Sequence, residues 1–155
     1  MNPAHFLPQV SLQRNRIDNA GATALARTLQ CGVLPCLEVL DLSSNLIAVD
    51  GAIALLEALK RAPDSCARRG APAPSPRVWS LDLGDNRVGD GVLDVLLADA
   101  PIALSELRLG GNPVTVAART RYKKAVCMKH PVASNCHVVF SSGHHVRHTA
   151  VLGAS

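Results

Sequence analysis

Four asparagines, at 15, 45, 86 and 112, each sit in the same eleven-residue phrase, and that recurrence limits the chain to a very small set of folds. Leu7-x-x-Val10-x-Leu12-x-x-Asn15-x-Ile17 returns as Leu37-x-x-Leu40-x-Leu42-x-x-Asn45-x-Ile47. It returns again as Val78-x-x-Leu81-x-Leu83-x-x-Asn86-x-Val88 and as Leu104-x-x-Leu107-x-Leu109-x-x-Asn112-x-Val114. Five apolar positions and one amide, kept through four copies, identify a structural unit.

The x-Leu-x-Leu alternation predicts a short strand that turns alternate side chains inward. The asparagine follows where the backbone leaves the strand, and its amide can satisfy main-chain groups that a curved turn leaves unpaired. The second half of each unit is helical. Gly21-Ala22-x-x-Leu25-Ala26-x-x-Leu29 and Gly51-Ala52-x-x-Leu55-Leu56-x-x-Leu59 place apolar residues at helical spacing along one stripe. One strand and one helix cannot bury both apolar faces, so the units must stack. Composition agrees: 48% of residues are hydrophobic but only 3% aromatic, as thin layers filled by Leu, Val and Ala require.

The phrase and its helical continuation resemble the leucine-rich repeat of the ribonuclease-inhibitor-like family, over residues 7 to 116. The resemblance implies an α/β leucine-rich-repeat solenoid, a short right-handed βα horseshoe segment of four repeats with a C-terminal capping helix. It implies protein binding rather than a shared chemistry, because that family has a surface in common and no reaction. No catalytic residue and no cofactor is assigned, and the chain is not expected to be an enzyme.

Departures from the template set the expected boundaries. Asparagine separations are 30, 41 and 26, and the long one holds a Pro-rich insertion over 63–77, with Pro63, Pro72, Pro74 and Pro76. The third helix should be short, ending before Pro101. Thr115 to Met128 should form the capping helix, with Val116, Tyr122, Ala125 and Val126 toward the core. Cys136 to Phe140 reads as a fifth, terminal strand. The repeat domain is thus expected over 1–140, with a loose tail over 141–155. No capping helix precedes Leu7, so the first strand should expose an edge, which points to a fragment of a longer array or to capping by a partner chain.

Charge is unevenly distributed. The net +4 resolves into −3 over residues 1–106 and +7 over residues 107–155, which contain no acidic residue. No apolar run suits a signal peptide or a membrane span. The five cysteines, odd in number and without C-x-x-C spacing, are expected to be free thiols in the cytoplasm. Cys127, His130, Cys136 and His137, with the later histidines, lack the spacing of a closed four-ligand zinc site, so no metal is assigned.

The outward strand residues should line a concave face, with equivalent positions about 4.8 Å apart in successive repeats. One row reads Ser11, Asp41, Asp82, Arg108; a second Pro8, Glu38, Trp79, Ser105; a third Gln9, Val39, Ser80, Glu106; beyond the strands stand Arg14, Ser44, Asp85 and Gly111. Asp41 beside Asp82, with Glu38 and Asp85 near, concentrates like charge, and Trp79 offers an aromatic anchor. The expected function is therefore a protein-interaction module or scaffold in a larger assembly. It would bind a basic partner protein through Glu38, Asp41, Trp79, Asp82, Asp85, Glu106 and Arg108. The alternative is a ribonucleoprotein or nucleic-acid-associated subunit that uses the basic helix residues Arg119, Arg121, Lys123, Lys124 and Lys129.

Overall fold

A computed structural model describes residues 9–31, 34, 36–60, 78, 80–97, 104–129 and 136–141. Nine elements alternate along it. They are β1 (Gln9–Ser11), α1 (Asn19–Gln30), β2 (Val39–Asp41), α2 (Val49–Lys60), β3 (Ser80–Asp82), α3 (Gly91–Leu97), β4 (Glu106–Arg108), α4 (Val116–Lys129) and β5 (His137–Val139). The strands form one parallel sheet in the order β1-β2-β3-β4-β5, and its register aligns Val10, Leu40, Leu81, Leu107 and Val138 in one row. The template leucines at 12, 42, 83 and 109 follow directly after the strands. Each donates its N–H to the next strand's backbone, to Asp41, Asp82, Arg108 and Val139 respectively.

The core lies between this sheet and the helices. Leu40, Leu42, Ile47, Leu55, Leu56, Leu81, Leu83, Val88, Leu107 and Leu109 are buried in one cluster with Leu29, Val92 and Leu93. Every described apolar template position thus contributes to a single continuous filling, as stacked units that cannot close alone require.

The asparagines bind the layers together. Asn45 accepts the Ile17 N–H at 3.0 Å and donates to the Leu12, Leu42 and Ser43 carbonyls. Asn86 repeats the set with Ile47, Leu42, Leu83 and Gly84, and Asn112 with Val88, Leu83, Leu109 and Gly110. Each of these three rungs therefore serves both its own turn and the preceding repeat. These amides are buried, where an unpaired carbonyl would cost roughly 1–3 kcal/mol, so the ladder stabilises what hydrophobic packing cannot reach.

A second set of side chains joins the helix starts. Asp18 caps α1 locally, accepting the Gly21 N–H at 3.0 Å. Asn19 instead reaches into the next repeat and accepts the N–H groups of Ala48 and Gly51 at 2.8 and 3.2 Å. Glycine is needed at 51 because a Cβ there would lie 3.0 Å from the Asn19 Cα. Asp90 acts likewise on α4, accepting the Thr115 N–H at 2.7 Å and the Thr115 hydroxyl at 2.8 Å. Those two bonds hold its carboxyl below the usual carboxylate range.

The short third helix is found, ending at Leu97, and so is the fifth strand. One inward assignment on α4 is corrected: Val116 is 77% exposed, while Ala118 and Tyr122 are buried. Val116 is the first residue of α4 and corresponds to Asn19, Val49 and Asp90, which face the following repeat and not their own core. The helical period then turns Ala118 and Tyr122 inward. Edge-on contact between Tyr122 and Phe140, with centroids 6.4 Å apart, ties α4 to the residue after β5. The expected insertion at 63–77 and the tail beyond Ser141 lie outside the described residues.

Candidate interaction surface

The strands present two outward rows. Pairing aligns Ser11, Asp41, Asp82, Arg108 and Val139 in one, and Gln9, Val39, Ser80, Glu106 and His137 in the other. Asp41 and Asp82 are thus neighbours on adjacent strands, at parallel-strand spacing of about 4.8 Å. Each carboxylate also folds over its own turn. Asp41 accepts the Ser43 N–H at 2.9 Å and the Ser43 hydroxyl at 2.7 Å, and Asp82 accepts the Gly84 N–H at 2.8 Å.

Arg108 answers part of this charge. Its Nε donates to Glu106 Oε1 at 2.8 Å, and its Nη1 stands 3.6 Å from Asp82 Oδ2. The Glu106 hydrogen bond holds the guanidinium proton more firmly than usual, with the Asp82 charge adding to it. Asp82 titrates above the ordinary aspartate range. Burial is the main cause, the Gly84 N–H opposes it, repulsion from Asp41 adds to it, and the Arg108 guanidinium opposes it. The strip thus sets three carboxylates, Asp41, Asp82 and Glu106, against the one guanidinium of Arg108.

Of the remaining expected residues, Glu38 and Asp85 are exposed beside this strip. Trp79 lies outside the described residues. Asp85 belongs to the further row expected beyond the strands, whose backbone conformation the repeat alignment did not signal. Arg14, Ser44 and Asp85 have φ of 56°, 55° and 52°, and Gly111 has 70°, so every repeat leaves its strand through a left-handed residue. Only the glycine in that row carries an obvious sequence cue for such a turn.

Two of the basic residues of α4 have partners within the chain. The Arg119 guanidinium lies over the Phe140 ring, 5.2 Å from its centroid. Arg121 bonds Asp94 at 2.7 Å. Lys123 and Lys124 are exposed, and the Lys129 side chain lies outside the described residues. Beneath them burial pushes the Cys136 thiol up to about 11 and the Tyr122 hydroxyl up to about 12, so both stay protonated at neutral pH. A protonated thiol is a poor nucleophile. Among the described residues no group of three or more His, Cys, Asp or Glu is placed to hold a metal ion, and no helix is long and apolar enough to cross a membrane.

The family model described as "Leucine Rich repeat" matches residues 5–26 and 33–56. No curated protein matches the chain. Among solved structures, a chain titled "Leiomodin-1 Actin-Binding Site 2 (ABS2)" is similar in fold, with a TM-score of 0.60 and 15% sequence identity. The alignment covers 88% of this chain and 71% of that one. The matched repeats, the five-stranded parallel sheet and that structural likeness together make the fold an α/β leucine-rich-repeat solenoid.

Proposed function

We propose that the chain is a scaffold module of the ribonuclease-inhibitor-like type that binds a basic partner protein on the concave strand face. The observation that carries this reading is the Asp41–Asp82 pair, adjacent across β2 and β3 and neutralised only in part by Arg108. Like charges on neighbouring strands are destabilising unless something answers them, and a lysine or arginine of a partner supplies the missing charge. Glu38, Asp85 and Glu106 surround the pair, and Trp79 is the aromatic anchor of the proposal. The leiomodin-1 chain, titled an actin-binding site, supports a protein as the class of ligand. We assign no catalytic role, and place the module in the cytoplasm.

The test is affinity capture with the full chain, followed by quantitative binding of Asp82→Lys and Trp79→Ala variants to whatever protein is recovered. A fall of about tenfold or more in each variant supports the reading. Unchanged affinity in both removes the concave face from the interaction. The nucleic-acid alternative, resting on α4, has weaker support because Arg119 and Arg121 are engaged within the chain. Binding to RNA that collapses with added salt and survives Asp82→Lys would favour it instead.

A further inference from the structure

The turn that follows each strand carries a further outward row, separate from the concave strip. After each template asparagine one residue faces outward before the next apolar position turns in: Arg16, Leu46, Arg87 and Pro113, all four exposed. Backbone bonds hold the first three in register, because Leu46 donates its N–H to the Ile17 carbonyl at 2.9 Å and Arg87 donates to the Ile47 carbonyl at 2.8 Å. Pro113 has no N–H to give and ends this ladder. Arg16, Leu46 and Arg87 thus stand on three successive layers, about 4.8 Å apart and roughly 10 Å from end to end.

Positive charge gathers at this edge of an otherwise acidic body. Of the four arginines described between Gln9 and Glu106, three stand in these turns: Arg14, Arg16 and Arg87. Among the described residues none of the three enters an ion pair. The acidic side chains nearest to them in sequence are occupied elsewhere, Asp18 in capping α1 and Asp85 with its carboxylate against Gly111. Leu46, between Arg16 and Arg87, is 38% exposed and is one of two large apolar side chains so exposed among the described residues. Two cations flanking a leucine at fixed spacing complement a ligand that alternates carboxylate, apolar side chain and carboxylate.

We propose that the ridge Arg16–Leu46–Arg87 is a docking surface for an acidic amphipathic helix of a partner protein. The helix lies along the stack, with a carboxylate at i for Arg16, leucine at i+4 for Leu46 and a second carboxylate at i+7 for Arg87. Pitch selects a helix. Positions i and i+7 share one face about 10.5 Å apart with i+4 between them, which matches three layers. An extended strand sets same-face residues about 6.6 Å apart, so three of them span about 13 Å and overshoot Arg87. Leu46 selects protein over nucleic acid, whose phosphates can meet the arginines but offer the leucine nothing. Arg14, in the adjoining row, adds to the field that attracts an acidic ligand.

The ridge and the concave strip take ligands of opposite charge, so one set of measurements separates them. The probe is a synthetic helix of about sixteen residues, built on alanine and glutamine, with glutamate, leucine and glutamate at i, i+4 and i+7. It is titrated into the full chain and followed by amide NMR. Saturable shifts are expected at Arg16, Leu46 and Arg87. Arg16→Glu and Arg87→Glu should each weaken binding about fivefold or more, and Leu46→Ser about threefold or more. Circular dichroism should show all three variants folded, and Asp82→Lys should bind no worse than the parent. Lack of saturable shifts at the ridge would overturn the proposal, as would equal binding of a scrambled peptide of the same composition. So would poly-uridylate binding at the ridge that matches the peptide and ignores Leu46→Ser, since the surface would then read only negative charge.

Discussion

The Arg108 guanidinium bridges two carboxylates, bonding Glu106 within its own strand at 2.8 Å and approaching Asp82 on the neighbouring strand at 3.6 Å. Both groups are partly solvated, so the bridge contributes under ~1 kcal/mol to stability. Arg108→Met should therefore lower the unfolding free energy by no more than that, read in urea. It should also raise the Asp82 pKa further, read by carboxyl NMR titration, since the guanidinium is one of the forces holding it down.

Asp82 also gives a pH signature. Its carboxyl titrates above 3.8 in the folded chain, so between the unfolded and folded values the native state binds more protons. The group's contribution to stability is then largest at low pH and falls as pH rises through the folded pKa. Asp82→Asn keeps an acceptor for the Gly84 N–H and removes this slope. Stability measured from pH 3 to 7 should be flatter in the variant and slightly higher at neutrality.

Asp90 shows the opposite sign. Its folded pKa is depressed by the Thr115 bonds, so its stabilisation is present above 3.8 and is lost as pH falls through the folded value. Exchange of the Thr115 amide should quicken in that acid window, and Asp90→Ala should show the fast rate at all pH values.

Within the ladder, Asn86→Ala should be far more damaging than Asn15→Ala. The first leaves buried Leu42, Leu83 and Gly84 carbonyls and the Ile47 N–H without their amide, a loss of about 3 kcal/mol. The second removes two bonds at an exposed rung and should cost under ~1 kcal/mol. Chemical denaturation of the two variants compares them directly.

Gly111→Ala should cost about 1–2 kcal/mol. Gly111 has φ of 70°, and a Cβ there would collide with the Asp85 carboxylate. Ser44→Gly, at a left-handed site now held by a side chain, should be neutral or stabilising in the same thermal unfolding experiment.

Much of this fold is readable before any coordinates because its two periods are strict. The row Val10, Leu40, Leu81, Leu107 falls out of the phrase itself, and with it the outward rows that bring Asp41 to Asp82 and Asp82 to Arg108. The asparagine ladder is legible for the same reason. What the phrase hides are features set by turns and rotamers. Arg14, Ser44 and Asp85 adopt left-handed φ without a glycine to announce it. Arg119 reads as a free surface charge until Phe140 is brought beneath it. Val116 misleads because an apolar residue at a helix start can face a neighbouring layer as readily as its own.

The described asparagine rungs also give the stack a direction. Asn45, Asn86 and Asn112 all extend their inter-layer bonds toward lower residue numbers, so the two ends of the array are chemically unlike and cannot be exchanged. After the last rung the Val114 N–H turns back to the Asn112 carbonyl, and the residue at the corresponding asparagine position beyond β5 is Gly143. Along the described array each successive layer therefore brings the amide that fastens it to the layer before.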